Sequence, residues 1–139
     1  MKPLHLLLFS LSLLLILSSC KKEAGEGGNS SIKGQVHGQF YDKNLYAWVD
    51  SGYVPDVDVY IIYGSEPTFA ERQRTNHDGT YEFKYLRSGK YQVYAYSRDS
   101  AGLYKFQANK FAAKIAIIEN VEITKRKQTV EVLDINTLQ

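Results

Sequence analysis

The 139-residue chain holds one cysteine, Cys20, so it cannot close a disulfide within itself. Secreted chains more often carry paired cysteines or none, and a lone one calls for its own explanation. Charge of one sign is scarce as well: 17 basic against 15 acidic residues give a formal net charge of +2. That balance implies no nucleic-acid partner, and the short basic run Lys125-Arg126-Lys127 reads as a turn between strands. No apolar run reaches the roughly 20 residues of a membrane-spanning helix. Catalytic signatures are missing too: there is no Gly-x-Ser-x-Gly, no His-Glu-x-x-His and no phosphate-binding loop. Past residue 19 the histidines are His37, at an outward strand position, and His77, in a turn. Neither lies in a context that names a nucleophile or a base. Asp50, Asp56, Asp58 and Asp78 are oxygen donors of the type calcium takes, but they lack the Asp-x-Asp-x-Asp-Gly spacing of a calcium loop. The expectation is a protein that is not an enzyme, with no metal site and no cofactor.

What is present begins with an address. Lys2 supplies a positive start, and Leu4 to Leu17 forms an apolar run of the length of a secretory signal's core. It ends in Leu17-Ser18-Ser19-Cys20, which resembles the bacterial lipobox. That resemblance implies cleavage before Cys20 and acylation of Cys20 on its sulfur and its new amine. Two or more acyl chains hold a protein firmly on a bilayer, where one holds it marginally. Removing residues 1–19 leaves 120 residues, about one domain, and takes away only Lys2 among the charged residues, so the balance falls from +2 to +1. In lipoproteins an aspartate directly after the acylated cysteine favours retention at the inner membrane. Lys21 stands there, so the resemblance implies the outer membrane, with either face open to the domain. The stretch "KKEAGEGGNSS" is rich in Gly, Ser and charge and reads as a flexible tether over residues 20–31.

From Ile32 the period is two. Ile32, Val36 and Phe40 alternate with Lys33, Gln35, His37 and Gln39; Val57, Val59, Ile61 and Tyr63 alternate with Asp58, Tyr60 and Ile62. Tyr81, Phe83 and Tyr85 alternate with Thr80, Glu82 and Lys84, and Tyr91, Val93 and Ala95 with Gln92, Tyr94 and Tyr96. Such alternation marks half-buried strands, and Asp78-Gly79, Ser88-Gly89, Gly64-Ser65 and Asn109-Lys110 supply turns between them. Only "TFAERQ" and "KFAAKIAII" have any claim to helix. Short strands at regular spacing predict an all-β sandwich of seven to eight strands over residues 32–139.

The run Thr75-Asn76-His77-Asp78-Gly79-Thr80-Tyr81-Glu82-Phe83, followed by Leu86, Gly89, Tyr91 and Val93, resembles the carboxypeptidase regulatory-like and Cna B-type domains. So do Gly34-x-Val36 and Val54-Pro55-Asp56-Val57-Asp58-Val59. The resemblance implies a prealbumin-like, or transthyretin-like, Greek-key sandwich. It implies no activity, because this fold carries many functions. Cna B-type domains often form an isopeptide bond assisted by a glutamate; Ala95 stands where that glutamate would fall and Lys33 belongs to the outward set, so no isopeptide bond is expected.

The family joins its first two strands by a short link, whereas here residues 41–56 form a longer aromatic loop holding Tyr46, Trp48 and Tyr53. Loops on a rigid sandwich are where binding tends to sit. Tyr46, Trp48 and Tyr53 are therefore candidate ligand contacts, for a glycan above all. Tyr60, Tyr94 and Tyr96 alternate away from the core and are a candidate protein interface. Asp99-Ser100-Ala101 matches a short pattern used for O-glycosylation in some Gram-negative envelopes, which makes Ser100 a candidate acceptor. The leading expectation is a lipid-anchored accessory or adhesion module that binds another envelope protein. A carbohydrate-binding lipoprotein using loop 41–56 is the alternative, and a spacer without ligand the third reading.

Overall fold

Apolar residues at every second position give nine strands and no helix in a computed structural model that describes residues 23–42, 44, 47–99 and 114–139. The strands are β1 (Glu26–Asp42), β2 (Ala47–Tyr53), β3 (Asp58–Tyr63), β4 (Glu71–Arg74), β5 (Thr80–Leu86), β6 (Gly89–Arg98), β7 (Lys114–Ile123), β8 (Thr129–Glu131) and β9 (Ile135–Leu138). They form two sheets, a β-sandwich as the alternation implied. One sheet is built on β1. Its first half pairs with β5 antiparallel and β8 parallel, and its second half with β2 antiparallel and β9 parallel. The other sheet runs β4-β3-β6-β7, antiparallel throughout.

The expected seven or eight strands become nine because the C-terminal path is broken. β8 and β9 follow the same side of β1, but the path spends one residue more than β1 between the pairs Lys33↔Glu131 and Val36↔Ile135. That extra residue interrupts the ladder as a bulge does.

The inward sets meet between the sheets. Ile32 and Val36 of β1, Val59 and Ile61 of β3, Phe83 and Leu86 of β5, and Tyr91 and Val93 of β6 are buried and pack as one cluster with Ile123 and Ile135. Gly34 belongs to this face and lies opposite Tyr81, whose ring covers it; a Cβ on Gly34 would sit 2.5 Å from the Tyr81 hydroxyl. Tyr85 departs from the expected alternation. Phe83 and Leu86 are both buried, which requires one surplus residue between them, and Tyr85 takes it at φ 59° and is 71% exposed.

Two expected loops are ordered differently. The tether to residue 31 ends earlier, because β1 begins at Glu26. Ser30 and Ser31 are buried, Arg87 N donates to Gly25 O at 2.8 Å, and Gly25 N donates to the Tyr91 hydroxyl at 3.1 Å. Ala24 packs against the edge of the core, and from Gly25 on backbone bonds and close approach at glycine hold the stretch. Likewise, most of the expected loop 41–56 is strand. Tyr41 and Asp42 finish β1, and Ala47–Tyr53 returns antiparallel along it as β2. Phe40 pairs with Asp50 and Tyr41 with Trp48, which leaves Val49 as a bulge.

The threonine that opens the motif has a visible duty. The Thr75 hydroxyl donates to Val54 O at 2.8 Å and accepts from Val57 N at 2.9 Å, so it clasps the Pro55-Asp56 turn, where Asp56 takes φ 58°. Thr75 is 3% exposed. Thr75→Val keeps the shape and strands both backbone groups, so a loss of about 1–3 kcal/mol is expected in urea unfolding.

Candidate functional site on the tyrosine face

The outward residues of β3 and β6 stand side by side because Tyr60 pairs with Tyr94 in the ladder. Their rings stack at 5.1 Å with 15° between planes. Tyr96, two residues on along β6, meets Tyr94 edge-on at 5.6 Å and Tyr60 at 5.7 Å. Phe69, from the turn before β4, closes on Tyr60 at 5.0 Å. Ile118 of β7 lies across the ladder from Tyr94. Neighbours on both flanks therefore cover Tyr94, which is 8% exposed although it points away from the core. Burial, followed by the Tyr96 and Tyr60 hydroxyls, pushes the Tyr94 phenol above its ordinary value. Tyr96, Phe69 and Ile118 stay open, at 43%, 49% and 48%.

A polar rim surrounds this centre. Asp58 holds Arg74 at 3.2 Å and Arg72 at 3.6 Å, and Arg72 lies beside Tyr60 across the β3–β4 ladder. Gln92 and Asn120 pair next to Tyr94 and Ile118 on the other flank. Aromatic anchors within a polar rim are the usual anatomy of a protein contact surface. The expected trio Tyr60, Tyr94 and Tyr96 is thus brought together. Phe69 and Ile118 were missed. Ile118 lies on the alternation Lys114, Ala116, Ile118, which a helical reading of "KFAAKIAII" hides; no local pattern marks Phe69.

The other candidates are dispersed. Tyr46 and Ser100 lie outside the described residues, as do Cys20 and the signal segment 1–19, and of Trp48 only the backbone is described. Tyr53 stands at the end of β2, where its hydroxyl donates to Asp134 Oδ2 at 3.2 Å and its ring meets His37 edge-on at 5.5 Å. Three of the four aspartates considered for calcium have partners of their own. Asp50 accepts from Ser51 N, Asp58 binds the two arginines, and Asp78 accepts from the Thr80 hydroxyl at 2.7 Å. The Thr80 hydroxyl and amide hold the Asp78 carboxyl below its ordinary value. Lys33 lies on the outer face, 2.8 Å from Glu131, and helps line an open polar cleft of about 500 Å³ with Gln35, Arg74 and Glu82. At its edge the Tyr81 hydroxyl is buried without a hydrogen-bond partner among the described residues, and burial pushes its pKa up.

Tyr63 links the start of β1 to β3. Its hydroxyl donates to Glu26 at 3.3 Å, and its pKa is pushed up to about 12 by burial first and by the Glu26 and Glu71 charges next. A phenol raised in the folded state favours folding below its ordinary value of 10.0, and that contribution is lost as pH climbs towards 12. Alkaline titration of tyrosinate absorbance should therefore show a late-titrating group, and Glu26→Gln should move it earlier.

No family model and no curated protein matches the chain. Among solved structures, a Pseudomonas aeruginosa protein provisionally described as carbohydrate-binding aligns over 79% of this chain and 91% of its own, at 11% identity and a TM-score of 0.47.

Proposed function

We propose that the protein is a non-enzymatic binding module of the cell envelope, anchored in the outer membrane through acylated Cys20, that docks another envelope protein on its tyrosine face. The observation that carries this reading is the cluster of Tyr60, Phe69, Tyr94 and Tyr96 outside the core, with Phe69 and Tyr96 open to solvent and charge at its rim. Tyrosine suits such a surface because it offers large area for little lost side-chain freedom and keeps a polar tip for water. The glycan reading rests on Tyr46, Trp48 and Tyr53, of which Tyr53 alone has a described side chain, with its hydroxyl already engaged.

The test is co-purification from the native host. Phe69→Ala with Tyr96→Ala removes two exposed anchors and should cut recovery of the partner at least about ten-fold, since interface anchors each contribute roughly 1–2 kcal/mol or more. The melting temperature should stay nearly unchanged, because both rings lie outside the core. Undiminished recovery would overturn the assignment of the face. For the anchor, Cys20→Ala should move the protein from the membrane fraction to the soluble one, and membrane retention would contradict it.

A further inference from the structure

Natural sheets guard an exposed edge with proline, a bulge, a short strand or charge at its centre. β7 has no proline, no bulge and is not short; its one central charge is Glu119. It runs ten residues in unbroken register against β6, and no described residue makes a backbone hydrogen bond to its other side. Ile115-Ala116-Ile117-Ile118 runs apolar over its N-terminal half, Glu119 follows at the middle, and Lys114 and Glu122 stand nearer its ends. Ile115 on the core-facing side and Ile118 on the outer side are 42% and 48% exposed. A long, regular edge with four apolar residues in a row is a template for another strand.

We propose that the strand it takes is β7 of a second copy, paired antiparallel about a two-fold axis at Ile118. The sequence of the strand is self-complementary in that register. Lys114 faces Glu122 of the partner twice over, Ile115 faces Val121, Ala116 faces Asn120, and Ile118 meets its own copy. Neighbouring registers that keep side chains on their faces are worse. An axis at Glu119 opposes two carboxylates directly, and an axis at Ile117 sets Lys114 against Asn120 and leaves Glu122 unmatched. Ile117 facing Glu119 is the one poor match in the favoured register. The pair makes a continuous eight-stranded sheet, and it sets two tyrosine faces on the same side of it. The interface is isologous and closes on itself, so it yields a dimer and not a fibre.

The test uses the full-length protein purified in detergent and followed by sedimentation velocity over a concentration series. A monomer–dimer equilibrium is expected. Lys114→Glu turns two attractive cross-strand pairs into two repulsive ones and should weaken dimerisation about ten-fold; adding Glu122→Lys should restore it. A second reading comes from disulfide trapping in cells, where Ile118→Cys should give a covalent dimer and Val49→Cys, on exposed β2, should not. A monomer at every concentration, or a double charge variant no tighter than Lys114→Glu alone, would overturn the proposal. Neither result bears on the partner-docking role of the tyrosine face.

Discussion

Phe83→Ala is expected to cost about 3–5 kcal/mol, the largest loss from any single truncation in this chain. Phe83 is fully buried between the sheets, where its ring packs beside Tyr81 at 5.9 Å and within the cluster of Ile32, Val59 and Val93. It sits at the centre of β5 beside Ile32 of β1, and it shares the core with Val59 and Val93 of the other sheet, so a cavity there faces both sheets. Backbone pairing on β1 leaves little room for collapse, which places the cost at the upper end. A domain of this size holds roughly 5–15 kcal/mol in all, so the variant should lose a large part of its stability and melt well below the parent. Phe83→Leu keeps most of the volume and should cost about 1–1.5 kcal/mol. A loss under about 1 kcal/mol for Phe83→Ala would mean that the ring is not in the core.

Gly28→Ala comes second, with an expected cost of about 3 kcal/mol, the top of the range for overpacking. A Cβ at this position would lie 1.9 Å from Leu86 O and 2.3 Å from its carbonyl carbon. Those are backbone atoms of β5, so no side chain can swing aside; β1 must lift from its partner or β5 must bend. Asn29→Ala, one residue on and exposed, should change stability by less than about 0.5 kcal/mol. The contrast separates two views of residues 26–31. In a tether both substitutions are silent. In a strand laid against Leu86 only the second is. Chemical denaturation of the two variants beside the parent decides between them.

Residues 26–31 also show what sequence could not reveal. Glu26-Gly27-Gly28-Asn29 has the composition of a linker, and nothing apolar in it announces a strand. Its place is set by non-local partners, Leu86, Arg87 and Tyr91, which no local pattern exposes. β2 was hidden for a related reason: Asp50, Ser51 and Gly52 break the alternation, and the bulge at Val49 shifts the face of what precedes them. By contrast, β3, β5 and β6 were legible, because each has one face in the core and alternates accordingly. The outward direction of Tyr60, Tyr94 and Tyr96 followed from the same period. That Tyr60 lies against Tyr94 depends on β3 pairing with β6, a long-range contact, and Phe69 joins them from a turn with no period at all. The one departure inside a legible strand, Tyr85, arises where the chain needs a surplus residue to return Leu86 to the core.

The most direct test of the tyrosine face is crosslinking in living cells from a photo-reactive residue placed at Tyr96, followed by mass spectrometry of the adducts. Tyr96 is open to solvent and touches both Tyr60 and Tyr94, so a docked partner must pass within reach. One dominant protein adduct, lost when Phe69→Ala is added, is the expected result. Glycan adducts, or no adduct beyond background, would contradict the assignment of this surface as a protein-docking site.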